Sequence, residues 1–291
     1  DDGGAPYDAF RDRIMFPIRD PRGRCIGFGG RAMDPNARAK YLNSRETELF
    51  DKGRALYNHG PAREAVGKGQ PLIVAEGYMD VIALTQAGFT GAVAPLGTAI
   101  TEAQLRMLWK INPEPIVALD GDAAGLRAAQ RLMDLALPLL EAGQSLRFVL
   151  LPDGQDPDDL IRASGRAAMQ KLVDGALPMV TLLWQREIAD RPVDSPERKA
   201  ALDKSLRAKI ASIRDPSVRQ HYGQEIKSLR SALFAPQRIG GTWRKSRAVP
   251  QALSSTRASL IAAAGDRAET QMREAIVLAA CLRTPEVIPE F

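Results

Sequence analysis

The chain has 291 residues, a length that fits two domains and suffices for a sizeable buried core. Hydrophobic residues make up 45% and charged residues 26%, which excludes a disordered, collagen-like or heptad-repeat protein. The net charge of +5 is compatible with an anionic partner. The longest apolar run, 275–282, is far shorter than the roughly 20 residues of a membrane span, so we expect no membrane association.

Two cysteines, Cys25 and Cys281, lie far apart and belong to no CxxC or His/Cys cluster. The sequence therefore predicts neither a disulfide framework nor a structural zinc site. We expect a reducing compartment and a cytoplasmic protein. Because the first residue is Asp1 and no signal peptide follows it, we also expect a piece of a longer chain, truncated at both ends.

The charge is unevenly distributed along the sequence. Net charge is +3 over residues 1–70, −6 over 71–165, +9 over 166–250 and −1 over 251–291. An acidic middle between basic flanks is expected if the middle binds divalent cations and the flanks hold a polyanion against them. For 166–250, solvated helix faces explain the charge equally well.

The first strands are predicted near the N-terminus. Residues 13–33 contain two apolar stretches around a Pro/Gly turn, which predicts a β-hairpin. Three glycines at 27–30 predict a bulge or a close backbone approach in the second strand. The polar segment 40–58 predicts mostly loop, and a short helix is expected at 61–67.

Four short apolar runs then alternate with amphipathic stretches. The runs lie at 71–76, 91–95, 115–120 and 145–152. Strands that alternate with helices predict βαβ crossovers and a parallel sheet covered on both faces. The sequence therefore predicts an α/β fold.

After residue 156 the strand pattern ends and a small helical bundle is predicted. Helical patterns occupy 157–175, 178–190, 195–213 and 216–234, with prolines near the expected helix starts. A segment rich in Gly, Pro, Ser and Arg follows, which predicts a linker. One last amphipathic helix, at about 267–283, is too short to form a domain.

Carboxylates follow three of the four predicted parallel strands. They are Glu76, Asp120, Asp122, Asp156 and Asp158. Ligands of parallel α/β sheets bind beyond the carboxyl ends of the strands, so one edge should gather these acids. Such a cluster is costly unless cations neutralise it, and oxygen ligands without His or Cys indicate Mg²⁺ or Mn²⁺. Ions held in this way orient phosphates in phosphoryl or nucleotidyl transfer.

Each acidic element also has a simpler interpretation. The Asp-Gly-Asp sequence at 120–122 is common in turns, and the acids at 156–159 suit a helix N-cap. Glu76-Gly77 is compatible with a polar strand end. Their joint occurrence at equivalent strand ends favours function.

These segments resemble a known family. VAEGYMDVIAL (74–84), VALDGDAAG (117–125) and LLPDGQDPDDLIR (150–162) resemble the signature segments of the TOPRIM domain, a metal-binding fold shared by primases and topoisomerases. FRDRIMFPIRDPRGRCIGFGGRAM (10–33) and KYLNSRETELFDKGRALYN (40–58) resemble the bacterial replicative primase of the DnaG type, immediately ahead of its TOPRIM segment.

The resemblance implies a division of the chain. It makes 1–70 the C-terminal part of a basic α+β subdomain that binds DNA and nucleotides, 71–165 the TOPRIM catalytic domain and 166–236 a helical subdomain. A linker at 237–260 and the truncated start of the helicase-binding domain at 261–291 follow. The family's N-terminal zinc ribbon is missing here, so zinc is expected only in that missing domain.

The resemblance also implies residue roles. Glu76 would act as a general base or metal-assisting group near the primer 3′-hydroxyl, and Asp120 and Asp122 would complete the catalytic set. All five strand-end acids would hold metal, with Asp80 supporting them. The positions implied to hold DNA or nucleotides are Arg31, Lys40, Asn43 and Lys52.

The implied function is that of a DNA-directed RNA polymerase that makes short RNA primers on single-stranded DNA by two-metal nucleotidyl transfer. The implied partners are single-stranded DNA, ribonucleoside triphosphates, the replicative helicase and single-stranded DNA-binding protein, at the replication fork. Two alternatives remain: a TOPRIM nuclease or topoisomerase-like enzyme, although none of the five tyrosines has activating neighbours in the sequence, and a catalytically inert fragment that binds DNA.

Overall fold

The computed structural model describes residues 8–97, 99–189 and 191–234, together with Glu274 and Ile276, which are helical. The chain divides into two units, 1–235 and 236–291, and every strand and helix described below belongs to the first. The predicted linker at 237–260 lies outside the described residues. So does the predicted last helix at 267–283, apart from Glu274 and Ile276.

A three-stranded antiparallel sheet in the order β1-β2-β3 begins the described chain. Its strands are β1 (Arg13–Arg19), β2 (Cys25–Ala32) and β3 (Tyr41–Asn43). The predicted hairpin is confirmed, and Gly23 in its turn has a φ of +81°. A register shift at Ile18 marks an irregularity, and a Cβ at Gly29 would lie 2.5 Å from the Tyr78 ring. The close backbone approach predicted for these glycines is therefore present.

Six strands form the main sheet in the order β4-β6-β5-β7-β8-β9. They are β4 (Leu56–Tyr57), β5 (Ile73–Val74), β6 (Ala92–Pro95), β7 (Ile116–Leu119), β8 (Arg147–Leu150) and β9 (Leu177–Pro178). Strands β5 to β8 pair in parallel within the four predicted runs, which confirms the α/β class. The antiparallel edge strand β9 corrects the expectation that no strand follows residue 156. The segment 40–58 is mostly loop as predicted, although it also contains the short strands β3 and β4.

Two hydrophobic layers cover the main sheet, because successive strand residues point to opposite faces. The helices beside the sheet are α1 (His59–Gly67), α2 (Tyr78–Gln86), α3 (Glu102–Ile111), α4 (Ala123–Ala136) and α5 (Pro157–Asp174), with 3₁₀ turns at Lys52–Arg54 and Leu137–Leu139. Val74 and Val117 pack with α3 and α4 on one face. Ile73 and Ala118 pack with α2 and α5 on the other.

The predicted helices after residue 156 are present. The three that follow α5 are α6 (Met179–Ala189), α7 (Pro196–Ala211) and α8 (Pro216–Phe234). α5 is kinked at Gly165, which has a φ of +75°, and Ser195 caps α7. Trp184, Leu202 and Ile226 form a separate small core among α6, α7 and α8. Within the described residues, no helix combines the length and hydropathy that a membrane span needs.

Candidate active site

The carboxyl ends of three parallel strands meet at one edge of the main sheet. Strands β5, β7 and β8 are neighbours, so the residues that follow them lie close together. Glu76 follows β5, Asp120 and Asp122 follow β7, and Asp156 and Asp158 follow β8. The backbone N–H of Asp120 donates to Oε1 of Glu76 over 3.3 Å, which joins two of the strand ends. We call these five carboxylates the acidic edge.

Gly121 brings the loops after β7 and β8 into contact. Its N–H donates to the carbonyl of Gln155 at 3.0 Å, and its own carbonyl accepts from the N–H of Gly154 at 2.9 Å. A Cβ at position 121 would overlap the carbonyl oxygen of Pro152, so glycine is required for this approach. The Asp-Gly-Asp sequence therefore docks two acid-bearing loops against each other.

Two of the acids cap helices. Oδ1 of Asp122 accepts from the N–H groups of Ala124 and Gly125 at 2.8 and 2.7 Å, at the start of α4. Oδ1 of Asp156 accepts from the N–H of Asp159 at 2.7 Å, at the start of α5. The simpler interpretation as helix caps thus holds for both residues. In these bonds each carboxylate uses one oxygen, so capping fixes its orientation and leaves the second oxygen for a ligand.

Asp120 carries a charge that the fold does not neutralise. Burial, followed by repulsion from Glu76 and Asp156, raises the pKa of Asp120 to about 6. Its Oδ1 atom is buried and has no hydrogen-bond partner among the described residues. Asp158, by contrast, lies 2.7 Å from the guanidinium of Arg162. A buried carboxylate oxygen without a partner is costly unless a cation or a proton reaches it.

Asp80 fixes the turn that carries Glu76. It is 7% exposed, and its Oδ2 accepts from the N–H of Gly77 at 2.9 Å. Burial, followed by repulsion from Asp156 and Asp120, raises the pKa of Asp80 to about 7, while the bond from Gly77 opposes the change. This placement is compatible with the predicted supporting role.

The acidic edge fits a hard divalent cation without forming a complete cage. In the part of the chain that the structure describes, no three Asp, Glu, His or Cys side chains converge to hold an ion. Mg²⁺ commonly binds one or two carboxylates and takes water or substrate phosphates as its remaining ligands. The unpartnered oxygen of Asp120 and an all-oxygen donor set suit that mode of binding.

Tyr41 lies near the acidic edge, and the sequence analysis missed it. The guanidinium carbon of Arg31 and the ammonium of Lys40 lie 6.0 and 5.9 Å from the centre of its ring. Burial raises the pKa of Tyr41, Arg31 lowers it, and Asp80 and Asp156 raise it further, so the phenol lies within electrostatic range of the acids. The position of Tyr41 directly after Lys40 was the only signal in the sequence. We call Arg31, Lys40 and Tyr41 the basic platform.

The other two residues predicted to bind DNA or nucleotides, Asn43 and Lys52, make contacts with other residues of the chain. Nδ2 of Asn43 donates to the carbonyl of Leu96 at 2.8 Å, and its Oδ1 accepts from the hydroxyl of Tyr78 at 2.8 Å. Asn43 therefore ties the three-stranded sheet to the main sheet. Lys52 begins a 3₁₀ turn, and its ammonium lies 3.7 Å from Glu46.

Two cavities open at the acidic edge. One of about 450 Å³ adjoins Asp120 and Asp122 and is walled by Leu126 and Leu150. The other, of about 490 Å³, lies beside Glu76 and is mostly apolar. Either volume is in the range of pockets that hold small organic ligands.

Three family models match consecutive parts of the chain. "DNA primase catalytic core, N-terminal domain" matches 1–63, "Toprim-like" matches 73–161, and "DnaB-helicase binding domain of primase" matches 183–229. The last match falls within the segment predicted as a helical subdomain, whereas the start of a helicase-binding domain was predicted at 261–291. The parallel sheet with carboxylates at its strand ends and the central match together define a Toprim-type domain.

Similarity to known proteins shows which family of Toprim-containing proteins the chain belongs to. The DNA primase of Escherichia coli (strain K12) is 42% identical over 225 residues, which are 77% of this chain and 39% of that protein. A solved DnaG catalytic core matches at 41% identity with a TM-score of 0.71, covering 76% of this chain and 71% of that one. A DnaG primase catalytic domain bound to ssDNA also matches at 41% identity and a TM-score of 0.71, with 76% and 70% covered. The chain belongs to the bacterial DnaG-type primase family, and it spans about two fifths of the length of the curated relatives it matches.

Proposed function

We propose that the chain carries the polymerase activity of a DNA primase and joins ribonucleotides into short RNA primers on a single-stranded DNA template. The observation that carries this proposal is the acidic edge, where five carboxylates follow neighbouring strands and Asp120 keeps an unpartnered buried oxygen. Family membership and the likeness to a primase catalytic domain bound to ssDNA supply the substrate class.

The residues of the acidic edge divide the chemistry between them. One or two of its carboxylates at a time would hold Mg²⁺ or Mn²⁺, with substrate phosphates or water as the other ligands, and the bound ion would neutralise phosphate charge in the transition state. Glu76, exposed and oriented by the N–H of Asp120, accepts the proton of the primer 3′-hydroxyl. The 3′-oxygen attacks the α-phosphate of the ribonucleoside triphosphate, and pyrophosphate leaves. Asp80 keeps the Glu76 turn in place through its bond to Gly77.

The basic platform would hold the strand or the nucleotide beside the acids. Arg31 and Lys40 neutralise phosphate charge, and the ring of Tyr41 offers a stacking surface for a base. Lys52 would also bind a phosphate, once its ammonium group leaves its ion pair with Glu46. Asn43 contributes indirectly, because it fixes β3 against the main sheet.

The remaining partners follow from the family. We propose that the replicative helicase binds through 183–229, the segment matched by the helicase-binding model, and that single-stranded DNA-binding protein is met on the template. The place of action is then the replication fork in the cytoplasm.

The test is extension of an RNA primer annealed to single-stranded DNA, with labelled ribonucleotides and either Mg²⁺ or Mn²⁺. We expect metal-dependent extension, and a loss of at least about 100-fold when Asp120→Asn and Asp122→Asn remove two cation ligands. Arg207→Gln, at an exposed position of α7, is the matched control. Extension that survives in the acid variant would overturn the proposal, as would strand cleavage without extension, which would identify a nuclease.

A further inference from the structure

A basic cavity of about 530 Å³ lies among α4, α6 and α7, and among its lining residues it shares only Arg131 with the cavity beside Glu76. Five cations line it, and they are Arg127, Arg131, Arg186, Arg191 and Lys209. The only acids among its lining residues are Asp134 and Glu187. A concave site with such an excess of positive charge attracts anions.

The two acids hold two of the five cations, Arg186 and Lys209, in place. Oδ1 of Asp134 accepts from Nη1 of Arg186 at 3.0 Å and from Nζ of Lys209 at 2.8 Å, which links α4 to α6 and α7. Glu187 is 5% exposed and accepts from the hydroxyl of Ser205 at 2.6 Å. It also lies 3.3 Å from Nε of Arg186. Arg186 and Lys209 are therefore fixed in the cavity by bonds that join three helices.

Three guanidinium groups in the cavity keep unused donors. Nη2 of Arg186 is buried and has no hydrogen-bond partner among the described residues. Within the same residues, neither Arg127 nor Arg131 has an acidic side chain within 4.0 Å, whereas Arg186 pairs with Asp134 and Glu187. A buried cationic donor without an acceptor costs free energy, so the site lacks an anionic oxygen that a ligand would supply.

We propose that this cavity binds a phosphoanion, held by Arg127, Arg131 and Arg186. Arginine presents a planar fork of donors that matches phosphate oxygens in pairs. Arg127 and Arg131 can offer such forks, and Arg186 can add its buried Nη2. A volume of about 530 Å³ accommodates the phosphates of a nucleotide or a short stretch of a nucleic-acid backbone, which offer the same chemistry. The site does not depend on polymerase activity at the acidic edge.

The test is calorimetric titration of the full chain with inorganic pyrophosphate in the presence of EDTA. Without divalent cations the acidic edge repels anions, and the arginine variants then separate binding in the basic cavity from binding at the basic platform. We expect binding by the natural chain and a dissociation constant at least about tenfold larger for Arg127→Gln with Arg131→Gln. Arg207→Gln on α7 is the matched control and should bind as the natural chain does.

Parallel titrations with ATP and with a single-stranded DNA oligonucleotide identify the source of the phosphate. If the arginine-to-glutamine pair loses affinity for ATP tenfold, the cavity binds a nucleotide. If it loses affinity tenfold for DNA alone, the cavity binds a nucleic-acid strand. If the glutamine pair fails to fold by circular dichroism, Arg127→Lys with Arg131→Lys keeps the charge but removes the fork, and it should weaken binding less. The proposal is overturned if pyrophosphate does not bind, or if it binds equally well to folded arginine variants.

Discussion

Gly121 determines how closely the two acid-bearing loops approach, because its hydrogen atom faces the carbonyl oxygen of Pro152. In Gly121→Ala a methyl group must displace one of the loops. We expect a loss of about 1–3 kcal/mol in the free energy of unfolding, as for other overpacked sites. Primer extension should fall further, since a shift of about 1 Å in reacting groups can cost about 100-fold in rate.

Urea unfolding and single-turnover extension would measure both effects of Gly121→Ala. Gly67→Ala is the matched control, because a Cβ at Gly67 meets nothing within 4 Å. Equal losses in the two variants would show that the contact with Pro152 is unimportant.

Asp80 makes stability depend on pH when divalent cations are absent. Its pKa of about 7 in the fold exceeds the ordinary value of 3.8, so between these values the folded state binds more protons than the unfolded state. Stability therefore falls as pH rises through that range, by about 4 kcal/mol at most. Asp80→Asn removes the charge and keeps an oxygen for the N–H of Gly77. We expect the variant to be more stable than the natural chain at about pH 8 and equally stable below about pH 4.

Melting temperatures recorded in EDTA across this pH range would test the role of Asp80. Asp80→Ala loses the cap of α2 as well as the charge. Its free energy of unfolding should therefore be about 1 kcal/mol lower than that of Asp80→Asn at every pH. A pH dependence of Asp80→Asn that parallels the natural chain would assign the destabilising charge to another group.

At the scale of elements, the amide of Asn43 makes a polar contact at the joint between the two sheets, where Phe16 also packs on Tyr78. Asn43→Ala leaves the carbonyl of Leu96 and the hydroxyl of Tyr78 without their partner, so we expect a loss of about 1–3 kcal/mol in stability. Tyr78→Phe removes one of the same bonds, and the double variant should lose less than the sum of the single variants. Denaturant unfolding of all four proteins completes the cycle.

The same cycle separates a structural Asn43 from a ligand of phosphate. One outcome would contradict the structural role: the free-energy losses of Asn43→Ala and Tyr78→Phe add up in the double variant, and Asn43→Ala weakens DNA binding. Asn43 would then bind the DNA strand directly, and its bonds between the sheets would be unimportant for stability.

The sequence predicts the four parallel strands because each is a continuous apolar run between helices, as buried parallel strands require. It misses β4 and β9 because each has two residues, too few for any periodicity, and pairs only through the tertiary fold. The acids were predictable because strand ends in a parallel sheet share one edge. Tyr41 was not, since its proximity to the acids arises where two sheets meet.

At the scale of the whole molecule, the net charge of −6 over 71–165 is concentrated in part at the acidic edge. The unfolded chain separates these carboxylates, so folding brings like charges together and a divalent cation favours the folded state. At a free Mg²⁺ concentration about ten times the dissociation constant, linkage adds about 1.4 kcal/mol. For a domain of this size that corresponds to a rise of about 3–6 °C in the melting temperature.

Asp120→Asn with Asp122→Asn should relieve the repulsion between the carboxylates and abolish the stabilisation by Mg²⁺. In EDTA the pair should melt higher than the natural chain, because two repelling charges are gone while the asparagine at position 122 can still cap α4. With Mg²⁺ it should gain nothing further. Scanning calorimetry with Mg²⁺, and with NaCl at equal ionic strength, separates site binding from general screening. An equal Mg²⁺ response in both proteins would place the cation elsewhere in the molecule, since Asp120 and Asp122 would then be dispensable for binding it.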